Sequence, residues 1–362
     1  MGIDKRYKFE IVSQYRTELM GTAILMVMLF HSYIRLPQSL WWLMPIVGST
    51  NSGVDIFFVL SGVGLFFSMK KHGSVKEFYI GRVKKILIPA FAAILIWGIV
   101  RDLIVGHKPI IEFIEDVTLV SFWTRGLTSY WYMASLIVFY AAYPGIYQLI
   151  IKKHACLYIP MLIICIVALT VLYRHLFPEH YELIEIFLTR IPVFLIGCLL
   201  GRVVYEQRTC SKKFILLFVA VFLLPAAMIY MYWFGALNDY MPIRYSLGCI
   251  GIGVVLLLPI LFNVVSCKLV KRILSFFGRH TLEIYLVFMQ VSAVVNYLFD
   301  RMYVFSDKYG ILRSLVCAAA YIAVALIYRR IIDCVVKQVE KRAGISSVAD
   351  SGIGKKHNAT ET

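Results

Sequence analysis

The chain has 362 residues, of which 60% are hydrophobic and 16% charged, with a mean hydropathy of +0.77. A water-soluble enzyme of this length could not cover so much apolar surface, so a soluble fold is excluded. The formal charge of +16 and the eight cysteines first suggest nucleic acid or a disulfide framework. Position argues against both: no two cysteines form a CxxC pair, and the basic residues fall between apolar runs rather than in one patch.

Apolar runs of about 20 residues, the length that crosses a bilayer core, predict helical spans near 18–36, 52–69, 86–105, 130–151, 156–173, 183–205, 214–235, 243–266, 279–299 and 311–335. The first run is too long for a signal-peptide core, and no small-residue cleavage site precedes Leu36-Pro37. Counted with the N-terminus inside, the inner segments carry 27 of the 37 Lys and Arg residues. Because basic residues resist translocation, this alternation predicts an all-α polytopic bundle of about ten transmembrane helices with both termini cytoplasmic. It also accounts for the net charge with lipid headgroups as partners and no nucleic acid. A cytoplasmic segment 1–17, a membrane domain 18–336 and a polar cytoplasmic tail 337–362 follow. The longest outer loop, 106–129, holds Glu112 to Val117 and Phe122-Trp123, a pattern fit for an amphipathic helix at the interface, as lid or connector.

An ionisable residue inside a span costs about 2.5–3.5 kcal/mol on insertion scales, so each one marks a candidate site. His31 lies in the outer half of the first span, where a neutral imidazole can act as a general base or can simply be satisfied by a neighbouring helix. Asp55, in GVDIFFVLSG at 53–62, is placed to pair with a cation, to orient a histidine or to cap the helix, and Gly53 and Gly62 allow close helix approach. In FYIGRVKKILIP at 78–89, Arg82 and Lys85 are i and i+3 on one helical face, with Lys84 beside them. Two cations there can grip the phosphates of a coenzyme or anchor to headgroups. Arg190 needs a buried partner, for which Asp55 and Glu283 are the candidates. With no CxxC pair and most cysteines in or at the ends of apolar runs, buried thiols are expected and no metal.

These segments, with Tyr130-Trp131-Tyr132 opening a span that ends at Pro144, RIPVFLIG at 190–197 and FGRHTLEIYL at 277–286, together resemble the acyltransferase 3 family of integral membrane acyltransferases. The resemblance implies an enzyme of the bacterial cytoplasmic membrane that transfers acyl groups other than amino-acyl groups. The donor would be a cytoplasmic acyl-CoA, foremost acetyl-CoA, serving as co-substrate with no tightly bound cofactor. The acceptor would be a sugar hydroxyl of a cell-surface polysaccharide or lipid-linked precursor. It makes His31 the candidate catalytic histidine, with Asp55 in support, and Arg82 with Lys85 the family's basic pair. Tyr130, Trp131, Arg190, Glu283 and Tyr285 become candidates for the substrate pocket, and Ser61 or Ser32 would serve if transfer passed through an acyl-enzyme. Two positions depart from the pattern: Met20 stands where many members have a cation, leaving Arg16, some 60° round the helix, as its substitute, and Phe288 replaces a common histidine. The alternative from another class is a permease or flippase-like component of a polysaccharide pathway, with the same residues lining a polar path.

Overall fold

A computed structural model describes residues 6–31, 38–211, 213–237, 239–265, 267–301 and 310–342. A short strand β1 (Arg6–Lys8) and helix α1 (Glu10–Gln14) lead into α2 (Arg16–His31). Then come α3 (Met44–Ser49), α4 (Gly53–His72), α5 (Val75–Arg82) and α6 (Ile88–Gly98). The loop helices α7 (Ile110–Val117) and α8 (Val120–Arg125) precede α9 (Trp131–Ile150), α10 (Ala155–Leu176), α11 (Pro178–Leu188) and α12 (Ile191–Tyr205). After strand β2 (Thr209–Ser211) the chain continues through α13 (Lys213–Trp233), α14 (Tyr240–Val264), α15 (Lys268–Arg279), α16 (Thr281–Arg301) and α17 (Gly310–Arg342).

The protein is an all-α polytopic membrane protein. Among the described residues nine helical stretches are long and apolar enough to cross a bilayer, and they fall on the second to tenth runs expected from the sequence. The first run is α2, whose continuation beyond His31, with Ser32, lies outside the described residues. Apolar side chains such as Ile164, Leu216 and Leu224 are among the most exposed, as a lipid-facing surface requires.

Contacts between distant segments gather the basic loops at one end of the bundle. β1 pairs antiparallel with β2, placing Tyr7 opposite Cys210, and the Tyr7 hydroxyl donates to the Leu256 carbonyl at 2.9 Å. Tyr15 donates to Asn263 Oδ1 at 2.6 Å, Arg202 to the carbonyls of Ile150 and Lys152, and Ser275 to Glu18 at 2.8 Å. An even number of crossings separates each of these segments from the N-terminus, so their meeting at one end is what the span count demands. The amphipathic α15 lies against α2 at this basic end, backbone to backbone: a Cβ on Gly21 would collide with the Leu274 carbonyl oxygen.

At the far end, the expected interfacial helix is two helices. Leu119, at φ 65°, breaks it between α7 and α8. The reason lies in the ion network beneath: Asp116 is turned inward, with Arg101 at 2.8 Å, Lys108 at 2.9 Å and Arg125 at 2.8 Å. Asp102, also buried, pairs with Arg101 at 2.7 Å and Lys108 at 3.0 Å. The hydrogen bond to Asp116 raises the Lys108 ammonium above its ordinary range. The last helix continues through Arg342, six residues into the segment expected as a tail.

Candidate active site

α4 divides the site. Asp55 and Gly64 are nine residues apart, which at about 100° per residue puts them half a turn from each other. The Asp55 side packs without space against α12 and α14. A Cβ on Gly62 would lie 2.5 Å from the Cys198 nitrogen, one on Gly197 2.5 Å from the Val59 carbonyl, and one on Gly251 2.8 Å from Asp55 Cβ. Into this closed contact the sequence inserts a charge pair: Asp55 Oδ1 is 3.3 Å from Arg190 Nε, and both side chains are 0% exposed. Of the two partners expected for Arg190, the structure therefore selects Asp55. Arg190 also reaches Thr189 Oγ1 at 3.2 Å and lies over the Trp131 ring at 5.6 Å. Asp55 meets a cation and not the histidine, and neither of its oxygens has a hydrogen-bonding partner among the described residues.

The other side of α4 is open along its basic half. Gly53 to Leu60 are buried all round, but Ser61, Gly64 and Phe67 keep partial access to solvent. The missing side chain of Gly64 leaves room for Arg16, whose Nη2 lies 3.1 Å from where a Cβ would stand. One turn on, Arg82 donates to Ser68 Oγ at 2.8 Å, while its guanidinium and that of Arg16 share the field of the Tyr140 hydroxyl. The Tyr132 hydroxyl meets Ser61. Two arginines thus converge on the partly exposed face of α4, between α2, α5 and α9, and this face with its two cations is the candidate donor groove.

Arg82 and Lys85 do not share that groove. A π-helical turn, Val83–Leu87, joins α5 to α6. Pro89 has no N–H to donate to the Lys85 carbonyl, and its ring crowds that carbonyl, which favours a widened turn just before it. The wider turn rotates the residues after Arg82 away from their α-helical direction. Arg82 consequently points into the bundle while Lys85 is exposed and Lys84 half-buried.

A row of rings leads from the groove toward the far end. Tyr132 is 5.2 Å from Tyr285, Tyr285 is 6.1 Å from Phe288, and Phe288 is 5.2 Å from His31, measured between ring centroids. His31, at the end of the described part of α2, is solvent-accessible with Phe30 and Phe288 against its ring. Phe288, which stands where the family pattern commonly has a histidine, is thus in direct contact with the candidate base. Phe58 and Trp131, with ring centroids 5.9 Å apart, wall this row off from the Asp55–Arg190 pair.

The remaining candidates lie at the margins. Tyr130 accepts a hydrogen bond from Gln290 Nε2 and, with Arg101 and Asp116, borders a cavity of about 10 Å³, room for one water. Glu283 faces Arg329 of α17 at 3.9 Å near the basic end, far from Arg190. No metal-ligating cluster occurs among the described residues. Sequence reasoning missed Gly64, Ser68 and Tyr140. Their only signal was the spacing of Ser61, Gly64 and Ser68 on α4, which puts small residues on one face.

A sequence model of the family described as "Acyltransferase domain" matches residues 19–330, most of the chain. The chain belongs to the acyltransferase 3 family. It is therefore an enzyme that transfers acyl groups, embedded in a membrane by multiple helices, and the permease reading falls away. No curated protein and no solved structure matches it. Within this acyltransferase the matched region runs from the first turns of α2 to Arg330, so it includes His31, the groove and the Asp55–Arg190 pair but begins just after Arg16.

Proposed function

We propose that this acyltransferase moves an acyl group, foremost acetyl, from a coenzyme A thioester held at the basic end to a sugar hydroxyl presented at the far end. By the positive-inside rule the basic end is cytoplasmic, as are both termini, and the donor therefore enters from the cytoplasm. Arg16 and Arg82 are the residues to hold the coenzyme phosphates, through charge-assisted hydrogen bonds; Lys84 and Lys85 attract the polyanion at the mouth. The thioester end then follows the aromatic row past Tyr132 and Tyr285 to His31.

There the acceptor oxygen adds to the thioester carbonyl carbon as its proton passes to the His31 imidazole. The carbon–sulfur bond breaks, the proton passes to the departing sulfur, and the products are a sugar ester and the free thiol of coenzyme A. Transfer is direct. Ser61 has the Tyr132 hydroxyl beside it and, among the described residues, no imidazole to activate it, which disfavours a covalent acyl-enzyme. Asp55 and Arg190 keep α4 and α12 in register and take no part in the chemistry. Tyr130 and Gln290 brace α9 against α16 beside the ring row, and Glu283 braces α16 against α17.

The observation that carries the reading is the convergence of two arginines on a groove whose aromatic lining leads to the lone accessible histidine of α2. The test is mass analysis of surface glycans from cells with and without the protein, paired with label transfer from acetyl-CoA carrying an isotopic acetyl group. A mass difference of one acetyl group bearing the label is expected; unchanged glycan masses would refute the proposal.

A further inference from the structure

A second pocket opens at the far end, formed by residues that take no part in the site around His31. It is a cavity of about 580 Å³ between the end of α10, the start of α11 and the start of α14, lined by Arg174, Tyr181, Glu182, Glu185, Asp239 and Tyr240. That volume lies within the range of small-molecule sites. Two of its carboxylates are fixed from behind: Arg174 pairs with Asp239 at 2.8 Å and Arg244 with Glu185 at 2.9 Å. Arg244 also lies over the Tyr240 ring at 4.5 Å, which fixes that ring in turn.

An independent observation points to a ligand. Tyr181 is 4% exposed, lines the cavity, and has a buried hydroxyl with no hydrogen-bonding partner among the described residues. A buried hydroxyl left unsatisfied costs about 1–3 kcal/mol, which a ligand hydroxyl reaching it would recover.

The lining selects the chemistry. An anion would meet three carboxylates against one arginine, and that arginine is already paired. An ammonium group would find two of the three carboxylates already paired with arginines. A neutral polyhydroxylated ligand meets neither objection: its hydroxyls donate to the free lone pairs of Glu185, Asp239 and Glu182, one accepts from or donates to Tyr181, and its C–H faces lie on Tyr181 and Tyr240. We propose that this pocket is an anchoring subsite for a neutral saccharide segment of the acceptor, remote from the unit being acylated. This inference rests on the acceptor being a glycan. It adds that the enzyme holds the chain at a second point, and that acceptor length matters.

The test uses the full-length protein in lipid nanodiscs, and saturation-transfer NMR with maltotriose, chitotriose and an isomaltotriose as neutral probes, with ethanolamine as the amine control. Binding of at least one trisaccharide is expected, weakened about tenfold or less by Tyr181→Phe and more strongly by Glu185→Gln combined with Tyr240→Ala, and unchanged in His31→Ala. Tyr181→Phe removes only the oxygen, so its folding is secure and its result stands even if the double variant is unstable. No binding of any probe, equal binding by Tyr181→Phe, or displacement by ethanolamine would overturn the subsite. If the trisaccharides bind in this pattern while no acyl transfer is detected, the subsite stands and the proposed reaction falls; transfer without binding removes the subsite alone.

Discussion

The two sides of α4 carry similar residues to opposite ends. On one, Asp55 and Arg190 are sealed between α4, α12 and α14 with no access to solvent; on the other, Arg16 and Arg82 line a half-open groove beside Ser61 and Gly64. Glycine produces both outcomes. At Gly62, Gly197 and Gly251 it lets backbones meet and expels water, whereas at Gly64 it leaves a notch that a guanidinium occupies. An intramembrane charge is therefore a poor guide to chemistry by itself: what matters is whether the packing around it leaves a path for a ligand.

The sharpest way to break this contrast is to unpair the sealed side. Asp55→Ala or Arg190→Ala leaves an uncompensated buried charge and should cost about 3–5 kcal/mol, seen as a large fall in detergent melting temperature and yield. Asp55→Asn with Arg190→Gln should recover part of that loss. Full stability with lost transfer in Asp55→Ala would move Asp55 into the reaction and undo the division.

The open side should respond in donor affinity instead. Arg82→Ala removes a charged hydrogen-bonding group and should raise the donor KM roughly 10- to 100-fold, with acceptor KM little changed. Gly64→Ala, whose Cβ would press on the flexible end of Arg16 at 3.1 Å, should raise it several-fold, about 1 kcal/mol in binding. Lys85→Ala should change it less than either, because the π turn carries Lys85 out of the groove. Equal effects of Lys85→Ala and Arg82→Ala in steady-state kinetics would restore the paired-cation picture and make the turn irrelevant.

The smallest effect concerns the rim. Arg174 donates to the Asp239 carboxylate and, with the Met241 N–H, holds it below the usual carboxylate range. A depressed carboxylate contributes stability that is complete above its ordinary value of 3.8 and lost as pH falls through the folded value. Melting temperature should thus be indifferent to this pair from pH 5 upward and decline only below about pH 4, a decline that Asp239→Asn should blunt. A contribution centred near neutrality would show that the pair is not formed. The side chains are about half exposed, so the shift will be slight.

Much of this architecture can be read from sequence, because hydropathy and the alternation of basic loops follow directly from the bilayer. The run of spans, the helix-packing glycines of 53–62 and the need of Arg190 for an acidic partner were all visible. Choosing between Asp55 and Glu283 was not, since that depends on which spans neighbour one another. The pairing of Arg82 with Lys85 failed for a local reason: a periodicity of 3.6 was carried through a turn that Pro89 widens. The groove itself was hidden because a glycine and two serines define it, and small residues reveal a cavity only once the helices around them are placed. Asp102 and Asp116 escaped notice for a similar reason, their partners being supplied by a loop whose fold the pattern did not fix.

The account stands or falls on His31 and the arginine groove serving a single reaction. Purified His31→Ala should retain the wild-type melting temperature and bind acetyl-CoA as the wild type does, while its rate of label transfer to the acceptor falls by about 10²- to 10⁴-fold, the worth of a general base. Wild-type transfer by His31→Ala, or loss of acetyl-CoA binding together with transfer, would contradict it.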